Sequence, residues 1–217
     1  MPGRLINAHS IFAIAVAAAK GINAPLRQGG KDSALISLVF AEASLEAFLN
    51  ESIELASDNS HDAQEPQIVS SFAQLMPDFE RSRLESKFQL AHWMLTGKPY
   101  EKSAQPYQDF LLLMRVRNTL LHYKPDPPLG IPGEEQLTVV GSTSNKVLDS
   151  LRSKNILADL QPGVQASWTA FVSTKAVGEW ACNAASQMVL DFLSKLPPSS
   201  WESTLKFCYR APFSVTF

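Results

Sequence analysis

Between Lys31 and Ser57 the chain runs for 27 residues without a glycine or a proline, and this stretch limits the possible folds more than any other. Its apolar residues Leu35, Leu38, Val39, Ala43, Leu45, Phe48, Leu49 and Ile53 recur at helical spacing, not in the alternation of a strand. Asp32 or Ser33 can cap its start. A helix of this length with one apolar face needs partners along most of it, so the remaining segments are read for helices that could cover it.

Several are present. Residues 8–20 form an alanine-rich run with high helix propensity. Segments 67–76 and 79–96 read as two helices parted at Pro77, and Gly97 and Pro99 fall where a helix end expects them. A further helix runs from about Gln105 to about Tyr123, closed by Pro125. After the proline-dense "PDPPLGIPG", "QLTVVG" is a short edge strand or extended chain, helix resumes over "NKVLDSLRSKNIL", and one long helix spans Ser167 to Leu196. The aromatic tail from Trp201 is expected to dock on the body. The expected class is therefore all-α, an up-and-down helical bundle with additional C-terminal helices, in a single domain over 1–217.

Composition narrows the function. The net charge is −2 and the pI about 6.1, so any nucleic acid must be met by a local cluster of cations rather than by the whole surface. The apolar run at 11–19 is too short to cross a bilayer and reads as a buried helix. Two cysteines, Cys182 and Cys208, and four scattered histidines lack the spacing of a metal site. Reduced thiols, a cytoplasmic location, no membrane association, no metal and no cofactor are the resulting expectations.

Against that background "RVRNTLLHYKP", residues 115–125, stands out. At about 100° per residue, Arg115, Asn118, Thr119 and His122 fall within an arc of roughly 100°, opposite Phe110, Leu113, Met114, Leu120 and Leu121. Arg117 is misplaced, about 140° around from His122 and inside the apolar arc. A guanidinium there needs a carboxylate, which Glu42 or Glu46 of the long helix can supply, or it must snorkel to a cleft edge. The pattern leaves both open. His92 in "LAHWML" reads as a packed helix residue, and the four tryptophans as core or interface anchors.

"RNTLLH" at 117–122 has the form Arg-Asn-x-x-x-His and resembles the signature of the HEPN superfamily (higher eukaryote and prokaryote nucleotide-binding). The flanks "GKPYEKSAQPYQDFLLLM" and "HYKP", and "FAEASLEAFLNE" at 40–51, are similar to bacterial members. The likeness covers about 33–125, which would make that span the HEPN-like core, with C-terminal helices over 144–196 packed on it. The resemblance implies a metal-independent endoribonuclease acting as a homodimer, with two motifs lining one cleft. Arg117, Asn118 and His122 would be catalytic, Arg115 and Lys124 auxiliary RNA-binding cations, and Glu42 and Glu46 supporting carboxylates. RNA would be the substrate, cut by its own 2′-OH to 2′,3′-cyclic phosphate and 5′-OH ends. The protein would be a toxin or phage-defence effector with a separate antitoxin protein. The alternative is a non-catalytic helical module that binds RNA, nucleotide or a partner protein.

Overall fold

The computed structural model describes residues 7–21, 30–60, 64–122, 143–157, 168–215 and 217. All regular structure among them is helical. In chain order the α-helices are α1 (Ala8–Gly21), α2 (Gly30–Asn59), α3 (Gln67–Leu75), α4 (Leu84–Thr96), α5 (Tyr107–Leu121), α6 (Thr143–Ser153), α7 (Trp168–Val172), α8 (Lys175–Lys195) and α9 (Ser200–Phe213), with a 3-10 turn at Met76–Phe79. The all-α expectation holds. Residues 22–29, Pro125, the proline-dense segment and "QLTVVG" lie outside the described residues.

Helix α2 is the spine. Ala34, Leu38, Ala41, Leu45, Phe48, Leu49, Ser52 and Ala56 form one fully buried stripe along it, as a repeat of three and four residues requires. Its buried serines are satisfied locally, Ser44 by Ala41 O at 2.7 Å and Ser52 by Phe48 O at 2.7 Å, so they add no unmatched donors to the core. Between Ser33 and Asn59 it is long and apolar enough to cross a membrane by length and composition, yet half of that apolar window is buried inside the protein. Burial by neighbouring helices accounts for its hydrophobicity.

Those neighbours are chiefly α1 and α8. Helix α1 presents Ala8, Ala15 and Ala19 with Phe12, and Ser37 of α2 donates to Ala15 O at 3.0 Å across the contact. Small side chains let the two backbones approach closely. Helix α8 is buried on more than one side, from Val177 and Trp180 through Ala181, Ala185 and Met188 to Phe192, because it packs against α1, α2, α4, α5 and α9. The tail docks as helix α9: Trp201 Nε1 donates to Ser52 O at 2.9 Å, and Phe213 stacks on Phe12 with ring centroids 4.2 Å apart. Phe48 sits edge-on to both Phe192 and Tyr209. Glu51 ties three helices together. It accepts the Asn7 N–H at 2.6 Å and the Ala8 N–H at 3.2 Å at the start of α1, and the Tyr209 hydroxyl of α9.

Three boundaries differ from the sequence reading. Helix α4 begins at Leu84, not at 79, because the turn opened at Pro77 continues through Glu80 and Ser82, whose N–H groups bond Pro77 O and Phe79 O. The long helix expected over Ser167–Leu196 is two helices, α7 and α8, parted at Ser173 and Thr174. Thr174 is extended and accepts the Val177 N–H at 3.3 Å on its hydroxyl, an N-cap that starts a new helix. Helix α5 spans 107–121, and His122 leaves helical geometry. Gly97 closes α4 in the left-handed region, φ 74°, its N–H on Trp93 O, as expected of a C-terminal glycine.

Candidate functional site

Helix α5 buries Phe110, Leu112, Leu113, Met114 and Val116 and exposes Arg115, Asn118 and His122. The polar arc expected from the wheel is thus the solvent face, with Thr119 at its edge, its hydroxyl donating to Arg115 O at 2.8 Å. Leu121, expected on the apolar side, is half exposed at the last residue of the helix. The His122 N–H closes that turn on Asn118 O at 2.9 Å. Lys124 lies outside the described residues.

Arg117 points back toward the spine. Its Nε lies 3.3 Å from Glu42 Oε2, in an ion pair whose side chains are 28% and 8% exposed. The contact is Coulombic: the buried Nε–H finds no aligned hydrogen-bond acceptor. The guanidinium is held from its other edge, where Nη1 donates to Asn118 Oδ1 at 3.1 Å. Asn118 therefore orients the arginine. Of the two carboxylates open from sequence, Glu42 takes Arg117, while Glu46, one turn on, pairs with Lys87 Nζ at 3.4 Å.

Burial holds the Glu42 carboxyl above its ordinary range, Arg117 pulls it back down, and Glu46 and Glu85 push it further up. Glu42 and Glu46 of α2 thus pair with Arg117 of α5 and Lys87 of α4, while Glu85 of α4 adds a further negative charge near Glu42. Glu85 and Lys87 went unrecognised in the sequence. For Lys87 a signal existed: it lies three residues after Leu84 and four before Ala91, on the buried stripe of α4, where a lysine needs a partner. Glu85 carries no such signal.

The other histidines stand apart. His92 stacks on Tyr100 and donates from Nδ1 to Lys98 O at 2.7 Å, a packed role, and His9 contacts Ser10. His61 lies outside the described residues. Trp168, Trp180 and Trp201 are core, whereas Trp93 is exposed. Among the described residues no three His, Cys, Asp or Glu side chains gather as metal ligands.

Chemically the motif offers an exposed histidine, a partly exposed guanidinium held by Glu42 and Asn118, and an exposed cation, Arg115, on α5. That set can bind a phosphodiester and move a proton. No family model, curated protein or solved structure matches the chain.

Proposed function

We propose that the chain is a HEPN-type, metal-independent endoribonuclease that acts as a homodimer. The observation that carries the reading is the solvent exposure of His122 on the same helix as a guanidinium oriented by Asn118. RNA brings its own nucleophile, tethered beside the phosphorus. One imidazole takes the 2′-OH proton, the 2′-oxygen bonds to phosphorus, and the 5′-oxygen leaves with a proton from the second subunit's imidazole. Arg117 neutralises the non-bridging oxygens as negative charge builds on them. The products are a 2′,3′-cyclic phosphate and a 5′-hydroxyl, and DNA, lacking the 2′-OH, is not cut. A cytoplasmic toxin or defence effector restrained by a separate antitoxin fits this chemistry.

One observation favours a second reading, a non-catalytic helical module: Arg117 already has an internal anion in Glu42. Incubation of the purified protein with single-stranded RNA in EDTA separates the two. The ribonuclease yields cyclic-phosphate ends that His122→Ala abolishes. Equal activity in both proteins, or none in either at high concentration, refutes it, and RNA retained without cleavage supports the module.

A further inference from the structure

We propose that Arg117 is shared between Glu42 and an external phosphodiester, so that binding an RNA phosphate is coupled to uptake of a proton on Glu42. This rests on the reading of Arg117 as a phosphate ligand, whether or not the RNA is then cut.

The geometry of the pair is that of a loose tether. Glu42 is buried on α2 and Arg117 reaches it from α5, but the Nε contact at 3.3 Å lacks an aligned hydrogen bond, and the Arg117 side chain remains 28% exposed beside Asn118. A phosphodiester arriving at the exposed part of that side chain competes for the same positive charge. Charge-assisted, bidentate contact to phosphate is what guanidinium geometry favours.

The surroundings decide what happens to Glu42 when its partner is drawn outward. Among the described residues the charged groups facing it are Arg117 from α5, Glu46 on its own helix and Glu85 from α4. Lys87 of α4 stands beside Glu46. Among these groups, three carboxylates against two cations leave one negative charge in excess before any ligand arrives. A phosphodiester adds another, and one proton on Glu42 restores the starting balance. Glu42 is the group to take it, because Glu46 is 48% exposed and keeps Lys87, while Glu42 is the buried member and burial disfavours its charged form. Binding and protonation at a shared charge are reciprocal. Phosphodiester affinity therefore rises as pH falls through the range where Glu42 is ionised in the free protein, by up to about tenfold per pH unit where uptake is complete.

The test uses the full chain carrying His122→Ala, which removes the nearby imidazole as a second proton acceptor and prevents turnover. A short single-stranded RNA oligonucleotide is titrated calorimetrically in buffers of different ionisation enthalpy, at a series of pH values from mildly acidic to mildly alkaline. The expected result is uptake approaching one proton per chain. Adding Glu42→Gln abolishes the uptake, flattens the pH dependence and tightens binding at the alkaline end, since Arg117 loses its internal competitor. Glu46→Gln leaves the buried pair intact and moves the uptake to lower pH, a second readout should Glu42→Gln fold poorly. RNA binding with no proton uptake, or with the same uptake in Glu42→Gln, overturns the coupling while leaving Arg117 a phosphate ligand. Binding unaffected by Arg117→Met, or no binding at all, removes the phosphate-ligand reading and the coupling with it.

Discussion

Whether Arg117 serves the fold or the surface can be measured by a double-mutant cycle on the Glu42–Arg117 pair. At 3.3 Å two unit charges attract by on the order of 1 kcal/mol in bulk water and about 5 kcal/mol at an effective dielectric of ~20. Desolvation of the buried carboxylate takes part of that back, the open side of Arg117 screens it further, and Nε lacks an aligned acceptor. A coupling energy of about 1–2 kcal/mol follows, above the ~0–1 kcal/mol of exposed pairs and below the ~3–5 kcal/mol lost on truncating one member of a fully buried pair. The single variants should differ in their pH dependence. Folding raises the Glu42 carboxyl above its unfolded value; the native state then binds the proton more tightly, and stability falls as pH rises through the folded value. Arg117 limits that loss. Arg117→Met should therefore destabilise by about 2 kcal/mol at pH 8 and clearly less at pH 5, where Glu42 escapes by protonating. For a chain of this size each kcal/mol moves Tm by about 2–4 °C. Urea denaturation of the wild type, Glu42→Gln, Arg117→Met and the double variant at both pH values supplies the cycle. A coupling below about 0.3 kcal/mol, or an Arg117→Met cost that does not change with pH, would refute the reasoning.

Glu51→Ala strips the acceptor from Asn7 N–H, Ala8 N–H and the Tyr209 hydroxyl together. It should cost about 2–3 kcal/mol by chemical denaturation and speed hydrogen exchange in the first turn of α1; a loss below about 1 kcal/mol would show that α1 docks without it. On the ribonuclease reading, a mixed dimer of wild-type and His122→Ala chains, formed by unfolding and refolding them together, should be inactive, because it keeps one imidazole where the proposed cleavage uses two. Undiminished cleavage by an isolated heterodimer would contradict a composite site.

The helical class and the spine were legible because α2 follows one period for its whole length, and so was the polar arc of α5. The misplacement of Arg117 was legible too, and with it the need for an anion; which glutamate answers was not. Glu42 and Glu46 lie one turn apart on the same helix, and only the crossing of α5 and α4 over α2 assigns Arg117 to the first and Lys87 to the second. Thr174 was missed for a different reason. No proline interrupts Ser167 to Leu196 and the composition favours helix throughout, while the local competition of a threonine hydroxyl for the Val177 N–H ends one helix and begins another. At α4 the run Glu80 to Arg83 has helix-forming composition, but the turn begun at Pro77 uses those residues first. In each case a hydrogen bond local to a few residues outweighed a pattern read over many.

The same helix geometry bears on how the motif can work. Arg117 and His122 of one chain are five residues apart, about 7.5 Å along the axis of α5 and about 140° around it. The guanidinium is drawn inward to Glu42, whereas the imidazole leaves the helix at its exposed end. Phosphoryl transfer at a single linkage needs its proton acceptor and its oxygen-binding cation within hydrogen-bond reach of adjacent atoms. With Arg117 tethered, one chain satisfies only half of that requirement. Either a phosphate draws the guanidinium off Glu42, which the proton coupling above would report, or a second chain supplies the missing member. On the ribonuclease reading, the first route makes release of that tether a requirement for catalysis alongside the imidazole.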